Sequence, residues 1–251
     1  MDGSNYSTAA ERTFMPRLDQ PRSAKTQLPT PKSHPMVSAI MNNLKNLLAA
    51  IPVLLLWGCS NPADNVPAAK VSATNATPPA ATASTAPARK YAVTPDNSSI
   101  EFIGSKVTGS HRGGFKKFDG EVAVVDGHLA DAGTRVTIEM ESIWTDTDRL
   151  TGHLKTPDFF NVAQNPTATF ETKSVADQGT NTLVTGNLTL HGVTKEIQFP
   201  AEVHVSDDVV NLMAEFKINR FDFDVKFAGK ADDLIRKEVV LKLNVKAAKK
   251  A

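Results

Sequence analysis

From Tyr91 onward the chain alternates apolar and polar residues with a period of two, in short runs separated by turn residues. That period places every second side chain on one face of an extended strand. The runs are Ile100 and Phe102; Val122 and Val124; Val136, Ile138 and Met140; Ala168 and Phe170; Val184, Gly186, Leu188 and Leu190; Ile197 and Phe199 with Val203 and Val205; Val210 to Ile218 through Leu212, Ala214 and Phe216; and Val239 to Val245 through Leu241 and Leu243. They predict about eight strands. Asp126-Gly127, Gln178-Gly179, His191-Gly192 and Asp207-Asp208 supply turn chemistry between them, with His191-Gly192 the tightest hairpin loop. Sequential hairpins favour an antiparallel all-β meander. Eight such strands either stack as a sandwich or close into an up-and-down barrel, and closure removes the edges while leaving room inside for one small ligand. Pro200 predicts a bulge or bend.

One interruption is helical. Across Asp146–Lys155, Leu150 and Leu154 stand at i, i+4 behind Thr and Asp caps, and Pro157 stops the helix, which is expected to lie as a lid over one barrel mouth. A second helical turn is expected at Ala231–Arg236, where Leu234 and Ile235 need burial.

Before residue 90 the only sustained apolar run is Leu47–Trp57, which is eleven residues long and too short to span a bilayer. With Lys45 before it and Gly58-Cys59-Ser60 after it, residues 41–58 read as a secretory signal. Leu56-Trp57-Gly58-Cys59 resembles the bacterial lipobox, although Trp57 stands where a small or β-branched residue is usual; the resemblance implies lipidation at Cys59. Ser60, in place of Asp, resembles the sorting rule for the outer membrane, so the expected location is the cell envelope, anchored and facing the periplasm. Residues 1–40, Pro- and Ser-rich, are expected to be disordered or to precede the true start at Met36 or Met41. Residues 59–90, dominated by Ala, Pro, Thr and Ser, carry only Val66 and Val71 as bulky apolar side chains. They read as a disordered tether reaching about 30 Å. The globular domain is then 91–248.

Charge excludes one class of partner. The formal net charge is +1, and residues 91–251 hold 19 Lys and Arg against 23 Asp and Glu, so no basic surface for nucleic acid is expected. The single cysteine rules out an intramolecular disulfide and a multi-cysteine metal site. His111, His128, His153, His191 and His204 are scattered, and no nucleophile elbow, phosphate loop or dinucleotide fingerprint occurs. Asp146, Asp148 and Asp158 read as solvated residues around a short helix rather than a catalytic carboxylate pair. The sequence therefore suggests no enzyme, no metal and no required cofactor.

Six segments carry a resemblance. Tyr91–Phe102, Gly114–Gly120, His153–Phe160, Asn165–Phe170, Gly186–Thr194 with its Leu-Thr-Leu-His-Gly-Val-Thr string, and Ile218–Phe223 occur in the order found in the YceI-like family of lipocalin-like proteins. Asp222-Phe223-Asp224 departs from the family's usual Asp-Phe-Gly, and Lys155 stands where many members have Arg. The resemblance implies an eight-stranded barrel that holds a long isoprenoid chain, such as a quinone tail or polyprenyl lipid. The residues expected to line lumen and lid are Phe102, Val122, Ile138, Met140, Trp144, Leu150, Phe159, Phe160, Phe170, Leu188, Phe199, Leu212, Phe216, Phe223 and Leu241. By themselves Phe159, Phe160 and Trp144 read more readily as lid packing than as ligand contacts. Burial of each methylene would contribute about 0.8 kcal/mol, so affinity needs no specific polar contact. The competing expectation is a solidly packed structural or stress-response barrel without ligand; small inward residues, Gly186 and Ala214, favour a ligand space. A homodimer is compatible with the sequence, which does not decide whether barrels pair at their mouths.

Overall fold

The structure, a computed structural model, describes residues 61–74 and 87–250. The amino-terminal extension, the signal segment and Cys59 lie outside the described residues. Thirteen strands follow in chain order: β1 (Lys70–Ser72), β2 (Arg89–Val93), β3 (Ser99–Lys106), β4 (Gly109–Phe115), β5 (Phe118–Val125), β6 (His128–Glu139), β7 (Ile143–Thr145), β8 (Thr167–Asp177), β9 (Thr182–Leu190), β10 (Val193–Val205), β11 (Val209–Asn219), β12 (Gly229–Lys230) and β13 (Asp233–Lys249). One helix, α1 (Asp148–Lys155), lies between β7 and β8.

Eight wall positions close into an antiparallel up-and-down barrel. β2 and β3 form one broken wall strand, β4 and β5 the next, and β6 and β7 the third. β8, β9, β10, β11 and β13 follow in order, and β13 closes the ring on β3 and β2. The turns explain the tight succession: Asp126 and Gly127 have φ of 51° and 82°, and His191 and Gly192 have 52° and 74°. Two successive left-handed residues make the two-residue turn whose twist matches that of the flanking strands. The lid helix forms where the Leu150/Leu154 spacing predicts it, with Thr147 at its N-cap and Thr156 closing its end onto the His153 carbonyl at 3.1 Å.

Three apolar clusters fill the barrel along its axis. At one end Tyr91, Val93, Val122, Val124, Val210 and Ala247 form a floor. The Tyr91 hydroxyl there donates to the Ser206 carbonyl at 3.0 Å, which satisfies the one polar atom that Tyr91 buries. In the middle, Phe199 stacks on Phe216 at 4.1 Å, with Ile197, Ala214 and Ile218 around them. At the other end Ile143, Leu154, Phe159 and Val225 tie the lid to the wall.

Three expectations need correction. Ala231–Arg236 is not a helical turn. It is the tip and return of the β12–β13 hairpin, with Gly229 opposite Leu234 and Lys230 opposite Asp233. Leu234 and Ile235, adjacent in sequence, fall on opposite faces of a strand, and only Ile235 lines the interior. Pro200 makes no bulge, since its register with β9 runs unbroken from Phe199↔Val184 to Ala201↔Thr182. It falls where the other edge of β10 changes partner, between the β1 pairs at 196–198 and the β11 pairs at 202–205, so no ladder waits for its missing N–H.

The largest correction concerns the tether. Residues 61–74 are not a free linker; they strap the outside of the barrel. β1 pairs with β10, the Ala69 N–H donates to the Lys217 carbonyl at 2.9 Å, and the Lys217 N–H donates to the Pro67 carbonyl at 2.9 Å, so the strap fills the gap where β11 leaves β10. Lys217 Nζ donates to the Ala63 carbonyl and Ser105 Oγ to Asn61 Oδ1. The composition argument holds that such a segment has no core of its own. It needs none when an existing sheet edge supplies hydrogen bonds and Val71 packs on the cluster around Ile197.

Candidate functional site

Between floor and lid lies a cavity of about 590 Å³. That is within the usual range for small-molecule sites. Its wall is apolar, and its polar lining residues, Ser105, Lys106, His111, Arg149, His153, Arg220, Lys230 and Asp233, come from the lid-end parts of β3 and β4, from α1, from the turn after β11, and from the β12–β13 hairpin. The site is thus an apolar tube with a polar rim at one end.

Ten of the residues expected from sequence line this cavity: Phe102, Ile138, Leu150, Phe159, Phe160, Phe170, Leu188, Phe199, Phe216 and Leu241. Five do not. Val122 belongs to the floor cluster, and Leu212 packs beside the mid-barrel aromatics without reaching the space. Met140 is 1% exposed in the short 3₁₀ turn that breaks β6 from β7, its N–H held by the Pro166 carbonyl. Phe223 is fully buried in a second 3₁₀ turn, Arg220–Phe223. Trp144 sits on β7, with its indole beside Gly114. Period two assigns a face but not a depth, and a barrel with a floor and a lid separates residues by depth.

Sequence reasoning missed Phe227, Val225 and Arg220, which enter through the segment joining β11 to β12. A polar residue at the end of a strand carries no apolar signal. Gly186 also plays another part than expected. A Cβ there would lie 2.5 Å from the Glu171 carbonyl and 2.6 Å from the Phe170 ring, so the space beside Gly186 is already filled by Phe170. Gly186→Ala is expected to cost about 2 kcal/mol, a fall in Tm of roughly 5 °C, because backbone blocks one side and the displaced ring can only move into the cavity. Thermal denaturation checks this.

The lid is held by paired charges and aromatic rings. His153 stands edge-on to both Phe159 and Phe227, at 5.0 Å from each, and its Nε2 meets Asp158 at 2.8 Å. His111 meets Asp146 at 2.8 Å and Lys155 meets Glu141 at 2.6 Å. Asp146 and Asp158 are therefore each engaged with a histidine rather than with one another. Among the described residues no group of three metal-type ligands occurs. Lys106 pairs with Asp233, which also accepts from the Thr108 backbone and hydroxyl at 3.1 and 2.9 Å. The Lys106 ammonium holds the Asp233 carboxyl below the ordinary carboxylate range.

Arg220 is the exceptional polar residue. It is 5% exposed, has no carboxylate partner among the described residues, and donates Nε to the Arg236 carbonyl at 3.0 Å, Nη1 to the Val225 carbonyl at 2.5 Å and Nη2 to the Ile235 carbonyl at 3.2 Å. Its fork joins the 3₁₀ turn to the start of β13 and closes the cavity corner. Burial pushes its pKa down, yet a guanidinium keeps its charge.

Residues 91–247 match the family model described as the YceI-like domain. The chain belongs to the YceI-like domain family. Among curated relatives, a UPF0312 protein of Pseudomonas aeruginosa (strain LESB58) is 40% identical over 91 residues, 36% of this chain and 48% of that protein. Protein YceI of Escherichia coli O17:K52:H18 is 37% identical over 120 residues, 45% of this chain and 63% of that protein. The chain thus spans about half to three-fifths of the length of these relatives. Two solved structures share the fold: BcnA of Burkholderia cenocepacia, with a TM-score of 0.57 at 23% identity over 62% of this chain and 99% of that one, and a polyisoprenoid binding domain from Saccharophagus degradans, with 0.51 at 18% identity over 64% and 98%.

The YceI-like departure at Asp224 has a local cost. Asp224 ends the 3₁₀ turn with φ of 60°, a left-handed conformation that suits glycine, the residue usual at this place in the family. Asp is among the side chains that tolerate it. The ion pair it makes with Lys226 is solvent-exposed and offsets little. Asp224→Gly is expected to raise Tm by roughly 2–4 °C, which differential scanning calorimetry reads directly.

Proposed function

We propose that this protein is an envelope lipoprotein, anchored through Cys59 and facing the periplasm, whose barrel carries or stores one long apolar isoprenoid-type lipid such as a quinone or polyprenyl lipid. The observation that carries this reading is the cavity: about 590 Å³ walled by Phe, Leu, Ile and Val, with polar groups confined to one end. That arrangement suits a molecule with a long hydrocarbon tail and a small polar head. The polyisoprenoid binding domain of Saccharophagus degradans, which shares the fold, supports the choice of ligand class. A solidly packed barrel would leave no such space, so the ligand reading is preferred over a purely structural one.

No side chain in the lining forms a nucleophile–base pair, and we assign the protein a binding role. Tail burial dominates affinity at about 0.8 kcal/mol per methylene, so affinity should rise with chain length until the cavity is full and then level off. Titrating delipidated protein with farnesol, geranylgeraniol and longer polyprenols by calorimetry tests this, and a flat, micromolar-or-weaker response to all of them would count against it.

Anchoring has its own test. Cys59→Ala is expected to abolish incorporation of an alkyne-tagged palmitate and to move the protein from the membrane pellet to the soluble periplasmic fraction. An unchanged pellet fraction would reject the anchor without touching the ligand reading.

A further inference from the structure

Four large apolar side chains among the described residues stand exposed, and three of them gather at the lid end. Val107 and Leu234 are 52% and 49% exposed and sit side by side, the Val107 N–H donating to the Leu234 carbonyl at 3.2 Å. Phe221, 41% exposed, belongs to the same 3₁₀ turn as Arg220, whose guanidinium lies over the Phe221 ring and also holds the Ile235 carbonyl one residue beyond Leu234. The fourth, Met213, lies on the outer wall along β11.

Basic side chains flank this apolar tip. Arg149 and Lys230 are exposed on the cavity rim and carry no ion pair among the described residues, while Lys106 and Lys226 are paired with Asp233 and Asp224. Acidic side chains share this end: Asp232 is exposed at the hairpin tip, Asp148 beside Arg149, and Asp224 at the end of the turn that carries Phe221. Exposed apolar side chains at a loop tip, with the unpaired Arg149 and Lys230 on the rim beside them, match the chemistry of a bilayer interface.

The strap supplies an independent observation. Running back from β1, it crosses the outside of the wall to Asn61, which accepts from Ser105, two residues before Val107. In sequence Cys59 precedes Asn61 by two residues, a chain reach of at most about 7 Å. An anchor at Cys59 therefore belongs to the same end of the barrel as Val107, Leu234 and the cavity mouth, not to the end of a 30 Å leash.

We propose that the lid end is a membrane-docking surface: Val107, Leu234 and Phe221 enter the bilayer interface, the strap holds them there, and the cavity mouth opens against the membrane. An apolar chain would then pass between bilayer and barrel without crossing water. The proposal deepens the lipoprotein reading given above, and the test separates the two.

The lipidated full chain, purified from bacterial envelopes, is reconstituted in vesicles of phosphatidylethanolamine and phosphatidylglycerol at about 3:1, a composition with the negative surface charge of bacterial membranes. Three variants, Val107→Cys, Leu234→Cys and Asp208→Cys, carry a polarity-sensitive fluorophore; Asp208 lies in the β10–β11 turn at the floor end. Blue-shifted emission and quenching by spin-labelled lipid at 107 and 234, but not at 208, is the expected result. Equal water exposure at all three positions, or quenching at 208 instead, overturns the proposal.

If the chain proves not to be acylated, the anchor reading fails, and the same three positions are read in the Cys59→Ala background with added vesicles. Quenching confined to 107 and 234 still supports docking, and its absence overturns it. In that background Val107→Asp/Leu234→Asp is expected to weaken vesicle binding by roughly fivefold or more. Binding of geranylgeraniol in detergent should be unchanged, because neither side chain lines the cavity.

Discussion

Leu188→Trp/Leu241→Trp abolishes isoprenoid binding and leaves a folded barrel: that is the expected result of the most severe test of the cavity. Leu188 on β9 and Leu241 on β13 both line the space, and both are only half-buried because their inner ends face the void. They project from wall strands separated by β10 and β11, so two indoles approach each other from different sides of the tube. Each replacement fills volume that a ligand tail would otherwise use. Displacing four methylenes removes about 3 kcal/mol of burial, a loss of at least 100-fold in affinity. Overpacking of a tight core costs about 1–3 kcal/mol, and here the cost falls at the low end because the new rings enter empty space. Calorimetric titration with geranylgeraniol, alongside far-ultraviolet circular dichroism, separates the two effects. Retained affinity in a folded variant would place the ligand elsewhere.

The second large effect is on stability. Arg220→Met keeps an apolar side chain of similar length but leaves the carbonyls of Val225, Ile235 and Arg236 without the donors they have now. A buried acceptor left unsatisfied costs about 1–3 kcal/mol. Against this, removing a buried charge that no carboxylate neutralises recovers some desolvation. Three acceptors outweigh one desolvated cation whose charge is already spread over those carbonyls, and the net expectation is a loss of about 3–5 kcal/mol, or roughly 10 °C in Tm. Arg220→Lys should fail to restore it, since one ammonium cannot reproduce the planar fork that spans three carbonyls. A Tm within two or three degrees of the parent would show that the corner holds together without the guanidinium.

The two results concern residues of very different legibility. Leu188 and Leu241 lie in runs whose alternation alone assigns them to the barrel interior, and the same alternation places all eight wall positions. The Leu150/Leu154 pair with Pro157 likewise places α1 correctly. Arg220 is legible only from the three-dimensional structure, because its role depends on carbonyls 5 to 16 residues away and on no pattern of its own. The depth of each inward residue was equally hidden. Val122 and Leu188 share a parity rule, yet one lies in the floor and the other on the cavity, since what divides them is the position of Tyr91 and the aromatic stack along the barrel axis.

The strap and the β12–β13 hairpin were misread for one common reason. Composition and local pattern describe what a segment does by itself. Residues 61–74 have too little apolar surface to fold alone, and Leu234-Ile235 seem to ask for a helix that buries both. Each is decided by a neighbour: β10 and Lys217 give the first an edge to pair with, and the long β13 strand draws the second into its own alternation, leaving Leu234 in solvent. That exposure is what makes the lid end a candidate for membrane contact.

The central claim is that the barrel holds one long apolar lipid. Native mass spectrometry of the full chain purified from a bacterial envelope, with extraction and identification of any released molecule, tests it most directly. The account predicts one adduct per chain, of isoprenoid mass, lost in the Leu188→Trp/Leu241→Trp variant. A clean ligand-free mass, persisting after incubation with quinones and polyprenols, would contradict it.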